Sequence, residues 1–439
     1  MHVRIVQIIG GLFGVLVLLC LILVVANWEE VYWRTPLYPK PGQAPRAAPT
    51  RDGRWEQDID YLVDTLTRVH VDPFYVTDEA TWRAEAARIK AAIPSLNDDE
   101  LTFEIYKLVA RVKDAHTHAV RPTHGRPQRY PIQFTVFDEG IFVTRVTEES
   151  ASVFGAQLVG INKYRIDAVL DRITPALAYE NDWGHQFLVA SVLNNPTFLQ
   201  LAQITPNTDE VTFVFRRADT TEVAVTLHAQ PREDIRFREY PFPAPLYLRA
   251  LDDHGPQSDV PLWYTYLPEH KAIYLQYNSA QKTEAFQQIA AAALNEAKVQ
   301  GATTFIVDVR FNGGGNSWPF TQYLSNPLRD HPITAHGRVY GIMGRATFSS
   351  GFRAIADLKQ HNKATIIGEP AMTRLNYFGE VTNFKLPNSH IVVQYPQKRS
   401  VDFPEYNDAR VYEPDIMLPL TVADFFSGRD PYLEAALKQ

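Results

Sequence analysis

Three consecutive glycines, Gly313 to Gly315, close the stretch TFIVDVRFNGGG, which begins at Thr304. The apolar run Phe305 to Val309 predicts a buried strand, and Asp308 and Arg310 mark its end. A strand that breaks into a glycine-rich turn frees backbone N–H groups to point at a ligand, the raw material of an anion or oxyanion site. A plain tight turn accounts for the same residues, since glycine supplies positive φ. A phosphate loop does not, because no Lys-Ser/Thr follows at the required spacing and no GxGxxG opens a helix. A second element, Thr347-Phe348-Ser349-Ser350-Gly351, follows roughly one helix and one strand later.

The chain has 439 residues, enough for about two or three domains, and 45% of them are hydrophobic against 21% charged, so a sizeable core is available. A net charge of −7 and the lack of a Lys/Arg block argue against a nucleic-acid partner. Cys20 is the single cysteine, which excludes disulfides within the chain and thiolate metal sites. Ile5 to Ala26 carries no charge over 22 residues, long enough to span a bilayer. A cleaved signal peptide ending at Val24-Val25-Ala26 is the other reading. The apolar run is longer than a usual signal core, which favours an uncleaved anchor. His2 and Arg4 at its short end put the N-terminus inside and the bulk of the chain outside, periplasmic or extracellular.

The patterning divides the chain into an anchor (1–34), a Pro-rich tether (35–53), a helical subdomain (54–120), a β-rich module (121–235) and an α/β core (236–439). In the subdomain, Tyr61, Leu62, Leu66 and Val69 make a helical stripe that Asp58 interrupts. Ala80 to Ile93 gives a second helix, and Asp98 to Val112 a third with Asn97 as its cap. From Tyr130 to about Gln230 the period changes to two, as in Ile132, Phe134 and Val136 or Val211, Phe213 and Phe215. From Ala272 strands and helices alternate, predicting a partly parallel sheet.

Ser349 is the candidate nucleophile, at a strand-to-helix turn where the helix N-terminus favours developing negative charge. As N-caps, Thr347, Ser349 and Ser350 would serve equally well. Asp114-Ala115-His116-Thr117-His118 reads as the polar end of the third helix, as a general base, or as a His-x-His metal pair.

Taken together these segments resemble the tail-specific, or C-terminal-processing, serine protease family, which includes the tricorn protease core. The resemblance covers roughly residues 54–420. It rests on Asp114 to Thr117 (DAHT), Ile306 to Gly315 (IVDVRFNGGG), Ala346 to Phe352 (ATFSSGF), Ile366 to Pro370 (IIGEP) and Val411 to Ile416 (VYEPDI). It implies a crotonase-like (ClpP-like) α/β core, a PDZ-like module over the β-rich segment, and a polypeptide substrate cut in unfolded or C-terminal stretches. It also implies catalytic roles for Ser349, His116 and Asp408, with Glu405 second to Asp408, and an oxyanion hole from Gly313, Gly314 and Ser350. Neither a cofactor nor a metal is implied. One branch of the family uses a lysine about 25 residues after the serine. Here that place holds Arg374, which stays protonated near neutral pH, so the resemblance points to the Ser-His branch. The fold also occurs in non-catalytic relatives, which leaves a peptide- or lipid-binding protein as the alternative. Phe348 and Phe352 would narrow a pocket at the serine.

Overall fold

The computed structural model describes residues 34, 35, 37–122, 125–249, 262–281, 283–406 and 409–438. The apolar run at 5–26, Cys20 and Asp408 lie outside them. Among the described residues no helix is long and apolar enough to cross a membrane.

Helices α1 (Arg51–Val69), α2 (Glu79–Ala92) and α3 (Asp98–Ala110) form where the stripes place them, burying Ile59, Leu62, Leu66, Trp82, Ile89, Ile105 and Leu108. Asn97 begins α3 with a capping box. Its side chain accepts from the Asp99 and Glu100 N–H groups at 3.0 Å, and Glu100 accepts from the Asn97 N–H at 2.8 Å. Asp58, the acid that breaks the α1 stripe, is fully buried and accepts from the backbone N–H groups of Asn388 and Ser389 at 2.8 and 2.7 Å. A loop from the far end of the sequence thus supplies the partners that a buried carboxylate requires. The Pro-rich stretch lies against α1, with the Tyr38 hydroxyl donating to Val69 O and Gln57 bonded to both Arg46 and Ala48.

The expectation that Asp114 to His118 ends a helix is corrected. Helix α3 stops at Ala110, the Thr117 N–H bonds Asp114 O in a turn at 3.0 Å, and His118 opens strand β1 (His118–Val120). The next strands are β2 (Ile132–Phe137), β3 (Gly140–Val146), β4 (Gln157–Ile161), β5 (Glu210–Arg216) and β6 (Glu222–His228). They make an antiparallel sheet in that order, with β2 at its edge and Tyr164–Arg165 pairing on β4. Helices α4 (Ile166–Ile173) and α5 (Asp182–Val192) interrupt the strand run, and α5 packs on β2.

The last unit contains β7 (Leu262–Leu267), β8 (Ala272–Tyr277), α6 (Thr283–Val299), β9 (Thr304–Asp308), β10 (Arg338–Met343), α7 (Ser350–Asn362) and β11 (Thr365–Gly368). After them come β12 (Phe378–Lys385), β13 (Val392–Arg399), β14 (Ile416–Met417) and α8 (Pro431–Lys438). The sheet order is β7-β8-β9-β10-β11-β14, antiparallel at the first pair and parallel after it. Its strands are apolar throughout because both faces are covered. Ile273, Leu275, Phe305 and Val307 face α6 and α7, while Tyr274, Ile306, Tyr340 and Ile342 face α8. Strand β13 pairs with β1 on one side and β12 on the other in a further sheet, and the Gln394 side chain donates to His116 O at 3.1 Å. The histidine segment is therefore docked on the core.

At the end of β9, Arg310 donates to both oxygens of Asp308 and, through Nη1 and Nη2, to both oxygens of Asp430 at 3.1 and 3.0 Å. All three side chains are buried, and the guanidinium lies over the rings of Tyr247 and Tyr432. Paired and stacked in this way, the charges fix the start of the glycine turn relative to α8.

Candidate active site

Ser349 holds φ +52° and ψ −120°, between the turn that follows β10 and the first residue of α7. The Gly351 N–H bonds Phe348 O at 2.9 Å, so Ser349 is the first central residue of a type II′ turn, a place that favours glycine. A serine held there stores on the order of 1–3 kcal/mol of strain, which persists only where the surroundings enforce it. They do so here. The buried Thr347 hydroxyl accepts from the Gly344 N–H at 3.0 Å and donates to Val309 O at 2.9 Å, and the Phe348 N–H bonds Asn312 O at 2.9 Å. The Ser349 side chain makes no capping bond. Thr347 and Ser350 do not cap either, since the Ser350 hydroxyl donates to Gly315 O at 2.6 Å. Ser349 Oγ has no hydrogen-bond partner among the described residues.

The glycine turn lies against this serine. A Cβ placed on Gly314 would stand 2.8 Å from Ser349 Cβ and 3.3 Å from the Ser350 nitrogen. Asn312 organises both segments: buried, it accepts from the Gly314 N–H at 2.9 Å and donates to Tyr277 O at 2.9 Å. The Gly314 N–H is thereby committed, and cannot serve as the oxyanion donor that the sequence offered. Gly313 has no hydrogen bond to a described residue, and the Ser350 N–H opens α7, where a helix provides it no acceptor. These two remain as donors.

His116 is 4% exposed, and neither ring nitrogen has a hydrogen-bond partner among the described residues. Its ring lies between Phe348, with centroids 4.2 Å apart, and Tyr377 at 5.7 Å. His116 thus stacks on the side chain of Phe348, the residue before Ser349, and no Ser349–His116 hydrogen bond is formed in this conformation. Phe352 does not crowd the serine: it packs inward on Phe403 and Tyr412.

Thr117 and Asp114 do not set the His116 tautomer. Thr117 donates to Asp114 Oδ2, and His70 Nε2 lies 2.9 Å from Thr117 Oγ1 and 3.4 Å from Asp114 Oδ2. The Asp72 N–H bonds His70 Nδ1 at 2.9 Å, leaving Nε2 as the donor toward that pair. Asp114 Oδ1 stands 3.9 Å from His116 Nδ1, too far for a hydrogen bond. Burial raises the Asp114 pKa. The His70 bond, the nearby His116 and Thr117 outweigh it and hold the carboxyl down at about 2.

Glu180 is also buried here, accepting from the Arg374 and Ala115 N–H groups at 2.6 and 3.3 Å. Arg374 fills the place of the lysine in the other branch, and its guanidinium faces Glu180 and the Tyr75 ring. Among the described residues Asp114, His116 and Glu180 form the one cluster whose ligand atoms all lie within 4.8 Å of one another, the set best able to hold a cation. His118 does not belong to it. It lines a groove of about 1060 Å³ with Tyr106, Phe198, Asn278, Gly313, Gly314 and Phe348.

Burial pushes the His116 pKa down to about 4; Asp114 opposes the shift and His118 adds to it. The imidazole is therefore the free base at neutral pH. Because the folded value is below the unfolded one near 6.5, the unfolded chain binds more protons in that interval. The stability this group contributes is present above pH 6.5 and is lost as pH falls toward 4. The acid limb of kcat/KM for a peptide substrate is expected near pH 4, and a limb near 6.5 would contradict this environment.

Sequence reasoning reaches Ser349, the glycine turn and His116, which the fold brings together. It misses Asn312, His70 and Glu180. Glu180 stands beside a readable signal, Asn181, which caps α5 by accepting from the Gly184 N–H at 2.8 Å.

No protein-family model matches the sequence, and no curated protein matches it. Solved structures do. Mature CPAF complexed with lactacystin is 12% identical and aligns with a TM-score of 0.62 over 88% of this chain and 97% of its own. The chain has the CPAF fold. A second structure of mature CPAF gives 0.60 at the same identity, covering 88% and 96%. The photosystem II D1 C-terminal processing protease also matches, at 14% identity and a TM-score of 0.43, over 84% and 94%.

Proposed function

We propose that this chain is a serine-type endopeptidase of the tail-specific kind, acting on unfolded or C-terminal peptide segments. The observation that carries the reading is Ser349: a hydroxyl without a partner among the described residues, on a strained turn at a helix N-terminus, with a glycine turn packed on it and a neutral histidine stacked on the preceding Phe348. In the reaction the Phe348 ring moves aside and His116 takes the proton from Ser349 Oγ as Oγ bonds the peptide carbonyl carbon. The Gly313 and Ser350 N–H groups hold the oxyanion, and His116 returns the proton to the leaving amine. The groove lined by Gly313, Gly314 and Phe348 is where an extended substrate would reach the serine.

The parallel sheet with helices on both faces supports a crotonase-like core. The sheet from β2 to β6, with α5 across its edge, supports a PDZ-like module, since an extended peptide can add to an edge strand. Between β2 and α5 lies a cavity of about 340 Å³ lined by Phe134, Phe187, Tyr240 and Tyr247, among others. That cavity also favours the second reading, a non-catalytic protein holding a peptide or lipid. Labelling with a fluorophosphonate separates the two: one equivalent on Ser349 is expected, and a chain that stays unlabelled while binding ligand supports the second reading.

The apolar run at 5–26 supports an uncleaved anchor with the catalytic part outside the cytoplasm. The full chain is expected to resist alkaline extraction from membranes and to be cut by protease added from outside. Release by alkali would overturn the anchor.

A further inference from the structure

The acid that the resemblance places behind His116 is Asp408. Among the described residues, two other carboxylates face that ring. We propose that Glu180 is a positioning residue of the site, and that its ionised carboxylate, together with Asp114, holds His116 while the imidazole is protonated. This inference rests on the Ser349–His116 reading above.

Asp114, the nearer acid by sequence, is already committed. It accepts from the His116 N–H at 3.1 Å and from Thr117 and His70, and its oxygen stops 3.9 Å short of His116 Nδ1. Glu180 comes from the segment just before α5 and reaches the same cluster. A Glu180 oxygen and a His116 ring nitrogen lie within 4.8 Å, a gap that one water or a small rotation of the imidazole closes. Two main-chain donors fix that carboxyl, Ala115 N–H next to the histidine and Arg374 N–H from the core. It is therefore built to hold position. Neither His116 ring nitrogen has a hydrogen-bond partner among the described residues, although a buried imidazole ordinarily finds one.

The groups facing Glu180 decide when it carries charge. Burial and the Asp114 charge push its pKa up to about 8, against the Arg374 guanidinium and the two N–H donors. At neutral pH the pair Asp114 and Glu180 mostly shares one negative charge. Above pH 8 it carries two. When Ser349 attacks, its proton passes to His116, and the new positive charge appears within 4.8 Å of both acids. A second negative charge there lowers the energy of that state and not of the neutral resting imidazole, so its effect falls on kcat. His116 and His118 both titrate below 6.5 and Tyr377 far above 10, so none of these neighbours mimics a transition near 8.

The experiment is the pH profile of peptide hydrolysis by the full chain and by Glu180→Gln. Wild type is expected to gain about 10-fold in kcat between pH 6.5 and 9.5 with a midpoint near 8. Glu180→Gln is expected to lose that rise, to show its largest deficit at pH 9.5, and to keep KM. Overlapping profiles would overturn the assignment. Should the variant fail to fold, the rate of fluorophosphonate labelling of wild type decides: a flat rate from pH 6.5 to 9.5 overturns it. Ser349→Ala is the separating control. Full activity in that variant sinks the nucleophile itself. An inactive Ser349→Ala beside a Glu180→Gln with the wild-type profile sinks only the role of Glu180.

Discussion

Ser349→Ala is expected to lower kcat/KM for peptide hydrolysis by roughly 10⁴-fold or more, the scale on which an activated nucleophile acts in serine hydrolases. The hydroxyl caps nothing, so its loss removes chemistry without removing a structural bond. Ser349→Gly sharpens the test. The turn places φ at +52°, a conformation glycine adopts without the 1–3 kcal/mol that an L-residue gives up, while glycine costs about 0.4–1 kcal/mol by loosening the unfolded chain. The glycine variant is therefore expected to be inactive and as stable as wild type or more stable, by up to about 2.6 kcal/mol, in chemical denaturation. A residue that harms stability and yet carries activity is kept for its chemistry. A glycine variant clearly less stable than wild type would show that the serine is there to support the turn. Retained hydrolysis in either variant would overturn the nucleophile.

Local chemistry makes most of this architecture legible. The helices α1 to α3 and the strands of both large sheets carry their own periodicity, and α6 begins and ends where the apolar spacing does. What stays hidden depends on pairs far apart in sequence. Asp58 reads as a flaw in the α1 stripe until Asn388 and Ser389 arrive to use it, 330 residues away in the nearer case. Glu180 has no motif around it, and it acquires meaning only because β12 and β13 carry β1 onto the core and Arg374 closes over the acid. The segment Asp114 to Thr117 reads as a helix end because it follows α3 closely in sequence. Its histidine is instead held by the Gln394 side chain, another distant partner. Phe348 reads as an obstacle to the serine. The fold stacks it on His116, a relation that sequence spacing cannot express because the two residues are far apart in the chain.

The glycine turn is the second place where a large effect is expected, and there the three glycines part company. Gly314 sits at φ +100°, and a methyl group on it would come within 2.8 Å of Ser349 Cβ and 3.2 Å of Phe348 O. Neither neighbour is the loose end of a side chain, so Gly314→Ala must shift either the nucleophile or the turn. Displacing a reacting group by about 1 Å costs on the order of 100-fold in rate, and a shifted turn that carries the Gly313 N–H out of line costs the oxyanion roughly 10²–10³. Gly314→Ala is therefore expected to lose about 10²- to 10³-fold in kcat, with an unfolding free energy lower by about 1–3 kcal/mol. Gly313 presents the opposite case. Apart from its chain neighbours, no described atom lies within 4 Å of where a methyl group would sit, and its φ is outside the left-handed range, so alanine fits there and keeps the N–H. Gly313→Ala is expected to fold with wild-type stability and to retain the oxyanion contact, because the donor is main chain. Equal losses in the two variants, measured as kcat on one peptide substrate, would mean that the turn acts only through its flexibility. A loss confined to Gly314→Ala ties the turn to the serine it touches, through a contact that only glycine permits.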